Sequence, residues 1–148
     1  MPLLWITAVL STMASILASE AVEMLIKSRV PLLGDFAGLV FTENPGVAFG
    51  MQFLGSFQIF VIVLALGSVI WLAVKSARTR WSAVAFGFII GGAIANVIER
   101  LPDGLVTDYF QVGSFYIFNA ADSFITIGVG LLLLHSFINR KAAAWIHS

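Results

Sequence analysis

The sequence predicts an all-α membrane protein, with four transmembrane helices and a small β-sheet cradle at the outer interface of the bilayer. Three observations predict it. The chain is 59% hydrophobic and 11% charged, with a mean hydropathy of +0.99, whereas soluble domains run at roughly 45–50% and about 25%. A soluble domain of 148 residues has too little interior to hide so much apolar surface. Four stretches reach the roughly 17–25 apolar residues that a helix needs to cross a bilayer. Finally, the two long connections fall on one side of the membrane and themselves stay apolar.

The spans are residues 3–22, 55–74, 81–98 and 119–138, within a single domain covering 1–148. The first span has no basic segment ahead of it, and Lys27 and Arg29 follow it. It therefore reads as a retained helix, not a cleaved leader. Lys75, Arg78 and Arg80 lie between spans two and three, and Arg140 and Lys141 lie in the tail. Five of the eight basic residues thus share a face with both termini, which the positive-inside rule assigns to the cytoplasm. Trp5, Trp71, Trp81 and Trp145 sit near the same ends, as interface anchors do.

All eight carboxylates fall on the opposite side: Glu20, Glu23, Asp35, Glu43, Glu99, Asp103, Asp108 and Asp122. The outer connections, 30–54 and 101–118, carry the working chain. Residues 38–42 read as a strand, and 106–112 with 115–118 as a short hairpin through Gly113-Ser114. Open strand edges cannot sit in hydrocarbon, so a small sheet is expected to rest at the outer interface and touch lipid with one face. Pro45-Gly46 suits a tight turn with Gly46 at positive φ.

Asn96 and Glu99 are three apart at the end of span three and share a helix face. Asn119 and Asp122 repeat that spacing at the start of span four, with Asn119 placed to cap the helix. Polar groups in such apolar surroundings are costly unless they satisfy one another. If the hairpin folds back over span four, Asp108 approaches Asp122. Two close carboxylates cannot both ionise cheaply, so they share a proton; sequence leaves open which one holds it. Taken singly, Asp122 reads as a helix cap, Asp108 as loop structure, Arg100 as an interfacial anchor, and Asn96 with Glu99 as a helix-knitting pair. The chain has zero net charge and no cysteine, which argues against nucleic acid as a partner and excludes disulfides and thiol catalysis. His135 and His147 are poorly placed for a metal, and no metal or cofactor is expected.

Four blocks in order carry a resemblance over nearly the whole chain: E-N-P-G-V-A-F-G (43–50), G-G-A-I-A-N-V-I-E-R (91–100), V-T-D-Y-F (106–110) and F-N-A-A-D (118–122). Each is weak alone, but their order relative to the spans resembles the bacterial lipoprotein signal peptidases. The resemblance implies a catalytic pair, Asp108 and Asp122, and an outer-loop asparagine, Asn44, lining the substrate site. It also implies that Asn96 and Arg100 hold substrate and orient the acids, with Glu99, Asn119, Glu23 and Lys27 supporting them. It further implies cleavage of prolipoproteins before a diacylglyceryl-modified cysteine at the periplasmic face of the inner membrane, inhibition by cyclic peptides, contact with membrane lipids, and a monomer.

The chain departs from the family pattern at two acids. Glu23, four before Lys27, and Glu99, in Asn96-Val97-Ile98-Glu99-Arg100, stand where aspartates are usual. The interval from Asp108 to Asp122 is also short. Because both aspartates are retained, an active, divergent peptidase is expected. The alternative is an inactive relative that binds lipoprotein precursors or lipids. A transporter would show internal repeats and broken helices, which the sequence lacks.

Overall fold

The computed structural model describes residues 1–46, 56–113 and 117–146. Its elements run α1 (Pro2–Leu25), β1 (Val30–Leu33), β2 (Ala37–Asn44), α2 (Ser56–Ser76), α3 (Arg80–Asp103), β3 (Val106–Val112), β4 (Ile117–Phe118) and α4 (Ala120–Ile146). Residues 47–50 of the first motif block, Gly55 at the start of the second span, Ser114 to Tyr116 of the hairpin, and His147 lie outside the described residues, as do the side chains of Arg140, Lys141 and Trp145.

Pro2–Leu25, Ile59–Ser76, Arg80–Asp103 and Ala120–Ile138 are long and apolar enough to span a membrane, so the expected all-α membrane class with a small antiparallel sheet holds. All four helices overrun the expected spans. α1 reaches Leu25 instead of 22, α2 reaches Ser76 instead of 74, α3 reaches Asp103 instead of 98, and α4 reaches Ile146 instead of 138. Hydropathy marks only the length that lies in hydrocarbon, whereas helical hydrogen bonding continues until a residue stops it. In α3 the stop is Gly104, at φ 83, whose N–H donates to the Arg100 carbonyl. The outer connection therefore begins at Gly104, not at 101, and Arg100 and Asp103 belong to the helix.

α3 is the central helix, with close contacts on two faces. A Cβ at Gly87 would stand 2.6 Å from the Thr7 Cβ, and one at Gly91 would overlap the Ser11 hydroxyl and the Ala8 carbonyl. On the other face Gly92 meets the Ala121 carbonyl, and a Cβ at Gly128 would stand 2.6 Å from the Ala85 carbonyl. Small residues let helices approach this closely where lipid removes any hydrophobic drive between them. The polar side chains on the α1 face are satisfied on their own helix: Thr7, Ser11 and Ser15 each donate to the carbonyl four residues back at 2.8 Å. Thr12 Oγ1 also reaches the Gly91 carbonyl at 2.9 Å. Leu4, Ala8, Ala73, Ala77, Ala83, Phe86 and Ile90 form a core shared by α1, α2 and α3. Large side chains such as Leu17, Phe60 and Leu133 point outward, each about 60% exposed or more, as lipid-facing residues do.

At the turn between α2 and α3 Thr79 caps α3 in a reciprocal box with Ser82, and Lys75 lies 3.9 Å above the Trp71 ring. At the other end of the bundle the four strands form an antiparallel sheet in the order β1-β2-β3-β4. The expected strands over 38–42 and 106–112 are present. β1 was not foreseen, because Val30-Pro31-Leu32-Leu33 is a continuous apolar run with a proline and no alternation.

Candidate active site

The β2–β3 pairing and the α4 N-terminus bring the aspartates together. Asp108 is 3% exposed, and each of its oxygens accepts an amide proton. Asn44 Nδ2 donates to Oδ2 at 2.7 Å, and Asn119 Nδ2 donates to Oδ1 at 3.0 Å. Asn44 pairs with Val106 across the ladder, so it lies diagonal to Asp108, within reach. The turn fixes which way its amide points. The Gly46 N–H donates to Asn44 Oδ1 at 2.8 Å, and Gly46 has the expected positive φ, 78°. Only the NH₂ is left for Asp108.

Asn119 caps α4 as expected. Its Oδ1 accepts from the Asp122 N–H at 2.9 Å, and Asp122 Oδ2 accepts in return from the Asn119 N–H at 3.4 Å. Asp122 Oδ1 accepts from Asn96 Nδ2 at 2.9 Å, and Asn119 Nδ2 also reaches Asn96 Oδ1 at 3.2 Å. One hydrogen-bonded chain therefore joins Asn44, Asp108, Asn119, Asn96 and Asp122. Arg100 brings the cation: its charge acts on Asp122, Asp108 and Glu99, and its Nη1 donates to the Asn96 carbonyl at 3.0 Å. Its Nε is buried without a hydrogen-bond partner among the described residues.

Burial pushes the Asp108 carboxyl up to about 6. The Asn44 and Asn119 amides and the Arg100 charge pull it down, and the Asp122 charge pushes it up. Desolvation wins. Such a carboxyl takes up and releases a proton near neutrality, as acid–base chemistry requires.

The supporting residues divide. Glu99 turns away from the aspartates, accepting from Ser19 Oγ at 2.7 Å through Oε1 and from the Thr107 N–H at 2.9 Å through Oε2. It ties α1, α3 and β3 together beside Asp108. Glu23 and Lys27 do not join the network. The buried stripe of α1 runs from Leu4 to Val22 and leaves Glu23 exposed. Lys27 lies past the helix end, where its Nζ donates to the Glu23 main-chain carbonyl at 2.7 Å. Both line a separate cavity of about 420 Å³ with Ile26, Ser28, Val40, Phe41 and Glu43. Among the described residues neither side chain hydrogen-bonds to the aspartates or to their asparagines.

Sequence reasoning missed Ser19, Thr107 and Tyr109. Tyr109 is 2% exposed, and its hydroxyl accepts from the Ala120 N–H at 3.1 Å. Strand alternation sets Thr107 and Tyr109 on the face opposite Asp108, a signal present in V-T-D-Y-F. Among the described residues no group of three His, Cys, Asp or Glu converges as a metal cluster would. Asp122 opens onto a groove of about 440 Å³ lined by Phe118, Ser123, Thr126 and Ile127.

A buried carboxyl raised to about 6 is thus joined through asparagines to a second carboxyl at the end of a lipid-facing bundle. Residues 4–138 match the family model described as signal peptidase (SPase) II. A lipoprotein signal peptidase of Chlorobium luteolum is 38% identical over 129 residues, covering 78% of this chain and 76% of that protein. One of Halothermothrix orenii is 32% identical over 139 residues, covering 92% and 93%. A bacterial membrane enzyme solved by the in meso method at 2.3 Å superposes with a TM-score of 0.81 at 23% identity, over 93% of this chain and 88% of that one. The chain belongs to the signal peptidase II family as a divergent member, an intramembrane peptidase whose family acts on lipoproteins. It is a multi-pass inner-membrane protein, and lipoprotein precursors and membrane lipids are its family-level partners.

Proposed function

We propose that the protein is an aspartyl endopeptidase that removes the signal peptide of prolipoproteins before a diacylglyceryl-modified cysteine, with Asp108 and Asp122 as its catalytic pair. The observation that carries this is the continuous chain Asn44–Asp108–Asn119–Asn96–Asp122, in which the buried Asp108 is raised to about 6. Asp108 holds the shared proton and Asp122 acts as base. Asp122 takes a proton from water as the water oxygen attacks the scissile carbonyl, and Asp108 protonates the carbonyl oxygen. When the tetrahedral intermediate collapses, the C–N bond breaks, the proton held by Asp122 passes to the cysteine nitrogen, and one hydroxyl of the intermediate returns its proton to Asp108, which restores the pair. The products are a signal peptide with a new carboxyl terminus and a lipoprotein with a free amino terminus. Arg100, with its unpaired buried Nε, and Asn44 hold the peptide. The signal helix arrives sideways from lipid along the groove at Asp122. Both termini face the cytoplasm and the site faces the periplasm, in keeping with the basic inner segments. A cyclic peptide that occupies the groove competes with substrate, and the protein works as a single-domain monomer.

The test is cleavage of a diacylglyceryl-modified prolipoprotein by wild type, Asp108→Asn and Asp122→Asn in detergent. Each substitution is expected to lower turnover by about 10²–10⁴-fold, the usual worth of a general acid or base. Near-normal turnover in either folded variant refutes the pair. Binding without cleavage by wild type establishes the inactive relative instead.

A further inference from the structure

Behind the aspartates run two further hydrogen-bonded links, made of residues that the cleavage chemistry does not use. In the first, the Ala120 N–H donates to the Tyr109 hydroxyl at 3.1 Å. In the second, Glu99 Oε1 accepts from Ser19 Oγ at 2.7 Å and Glu99 Oε2 accepts from the Thr107 N–H at 2.9 Å. Four elements take part: α4, β3, α1 and α3.

The points where these links attach are what matter. Thr107 immediately precedes Asp108, and Ala120 lies two residues before Asp122. Tyr109 flanks Asp108 on its other side. The two links therefore grip the main chain beside each aspartate while touching neither carboxylate. The second rests on Glu99, whose side chain spans from Ser19 on α1 to the backbone of β3. The wall behind it is firm, because α1 meets α3 at the glycine contacts of Gly87 and Gly91.

We infer that Ser19, Glu99 and Tyr109 are positioning residues that set the separation of Asp108 and Asp122, acting as a caliper across α1, α3, β3 and α4. This rests on the two aspartates being the catalytic pair. The groups facing Asp108 are Asn44 from β2, Asn119 and Asp122 at the α4 start, and Arg100 from α3. None of them is altered when Ser19 or Tyr109 is changed. A neutral substitution in the caliper can thus move the aspartates only through geometry.

The experiment compares Tyr109→Phe, Ser19→Ala and the pair combined with wild type and with Thr79→Ala, which weakens α3 at its far, inner end. Two readouts are taken: kcat and KM for prolipoprotein cleavage, and the titration midpoint of the Asp108 carboxyl by ¹³C NMR, assigned with Asp108→Asn. Each caliper variant is expected to lower kcat about 10-fold or more, change KM less than about threefold, and displace the Asp108 midpoint. The double variant is expected to lose more than either single one, since the two links hold the main chain separately. Thr79→Ala should leave the midpoint in place. The caliper is overturned if KM rises while kcat stays, or if the midpoint stays fixed in all the variants. The NMR titration needs no turnover. If wild type fails to cleave, the catalytic reading falls while the caliper is still decided by whether the midpoint moves.

Discussion

Replacing Asp108 with asparagine should do more than stop cleavage; it should reverse its effect on stability with pH. In the folded protein the Asp108 carboxyl is raised from 3.8 to about 6. At roughly 1.4 kcal/mol per pKa unit, holding it ionised costs the folded state about 3 kcal/mol at neutral pH. The sign follows from linkage. Below about pH 4 Asp108 is protonated in both states and costs nothing. As pH rises from about 4 to about 6 the unfolded chain loses its proton first, and stability falls. Asparagine removes that cost and introduces another. Asp108 accepts from two amides, Asn44 and Asn119, but asparagine offers one acceptor oxygen, so one donor faces an NH₂ at a cost of about 1–3 kcal/mol. At pH 7.5 the two nearly cancel, leaving Asp108→Asn between neutral and about 2 kcal/mol more stable. Near pH 4 little charge cost is left to relieve, and the variant should be about 1–2 kcal/mol less stable than wild type. Thermal unfolding in mild detergent, followed by tryptophan fluorescence from pH 4 to 8, measures the difference. A gap in Tm between variant and wild type that does not change with pH refutes the reasoning.

The pH profile of cleavage tests the same proton, since with Asp108 as acid kcat/KM should fall above about 6. Substrate buries the site further, so the corresponding fall in kcat should come at higher pH; a kcat profile shifted downward would contradict this. Asn119→Ala removes the α4 cap and an amide from Asp108, and should cost about 1–3 kcal/mol in thermal unfolding together with a loss of turnover. Gly91→Ala drives a methyl into the Ser11 hydroxyl and the Ala8 carbonyl, whereas Gly67 meets nothing within 4 Å. Melts should therefore show Gly91→Ala destabilising by about 1–3 kcal/mol and Gly67→Ala within about 0.5 kcal/mol of wild type.

The spans were legible because lipid imposes a length and a composition on each helix. Their true ends were not, since helices continue through the interface to stops such as Gly104 that hydropathy does not sense. The cap at Asn119 and the turn at Gly46 are local, and local spacing found both. The approach of Asn44 to Asp108 spans 64 residues and depends on strand register, which only the motif order hinted at. The spacing of Glu99 from Asn96 shows only a shared helix face, and the family pattern implies a supporting role beside the aspartates. In the structure Glu99 reaches Ser19, 80 residues away, a partner that no spacing rule supplies. Glu23 and Lys27 fit a motif, and in the structure they line a cavity of their own.

The self-satisfied hydroxyls of α1 have a consequence for biosynthesis. Thr7, Ser11 and Ser15 find acceptors on their own helix, yet the glycines that Thr7 and Ser11 lie against are on α3, which emerges from the ribosome some 80 residues later. During that interval α1 must sit in the bilayer with its seam uncovered. A stripe of asparagines or acids would force it to seek a partner or leave the membrane. Short hydroxyls bonded to the preceding turn let it wait, and they still leave a surface smooth enough for α3 to close on when it arrives.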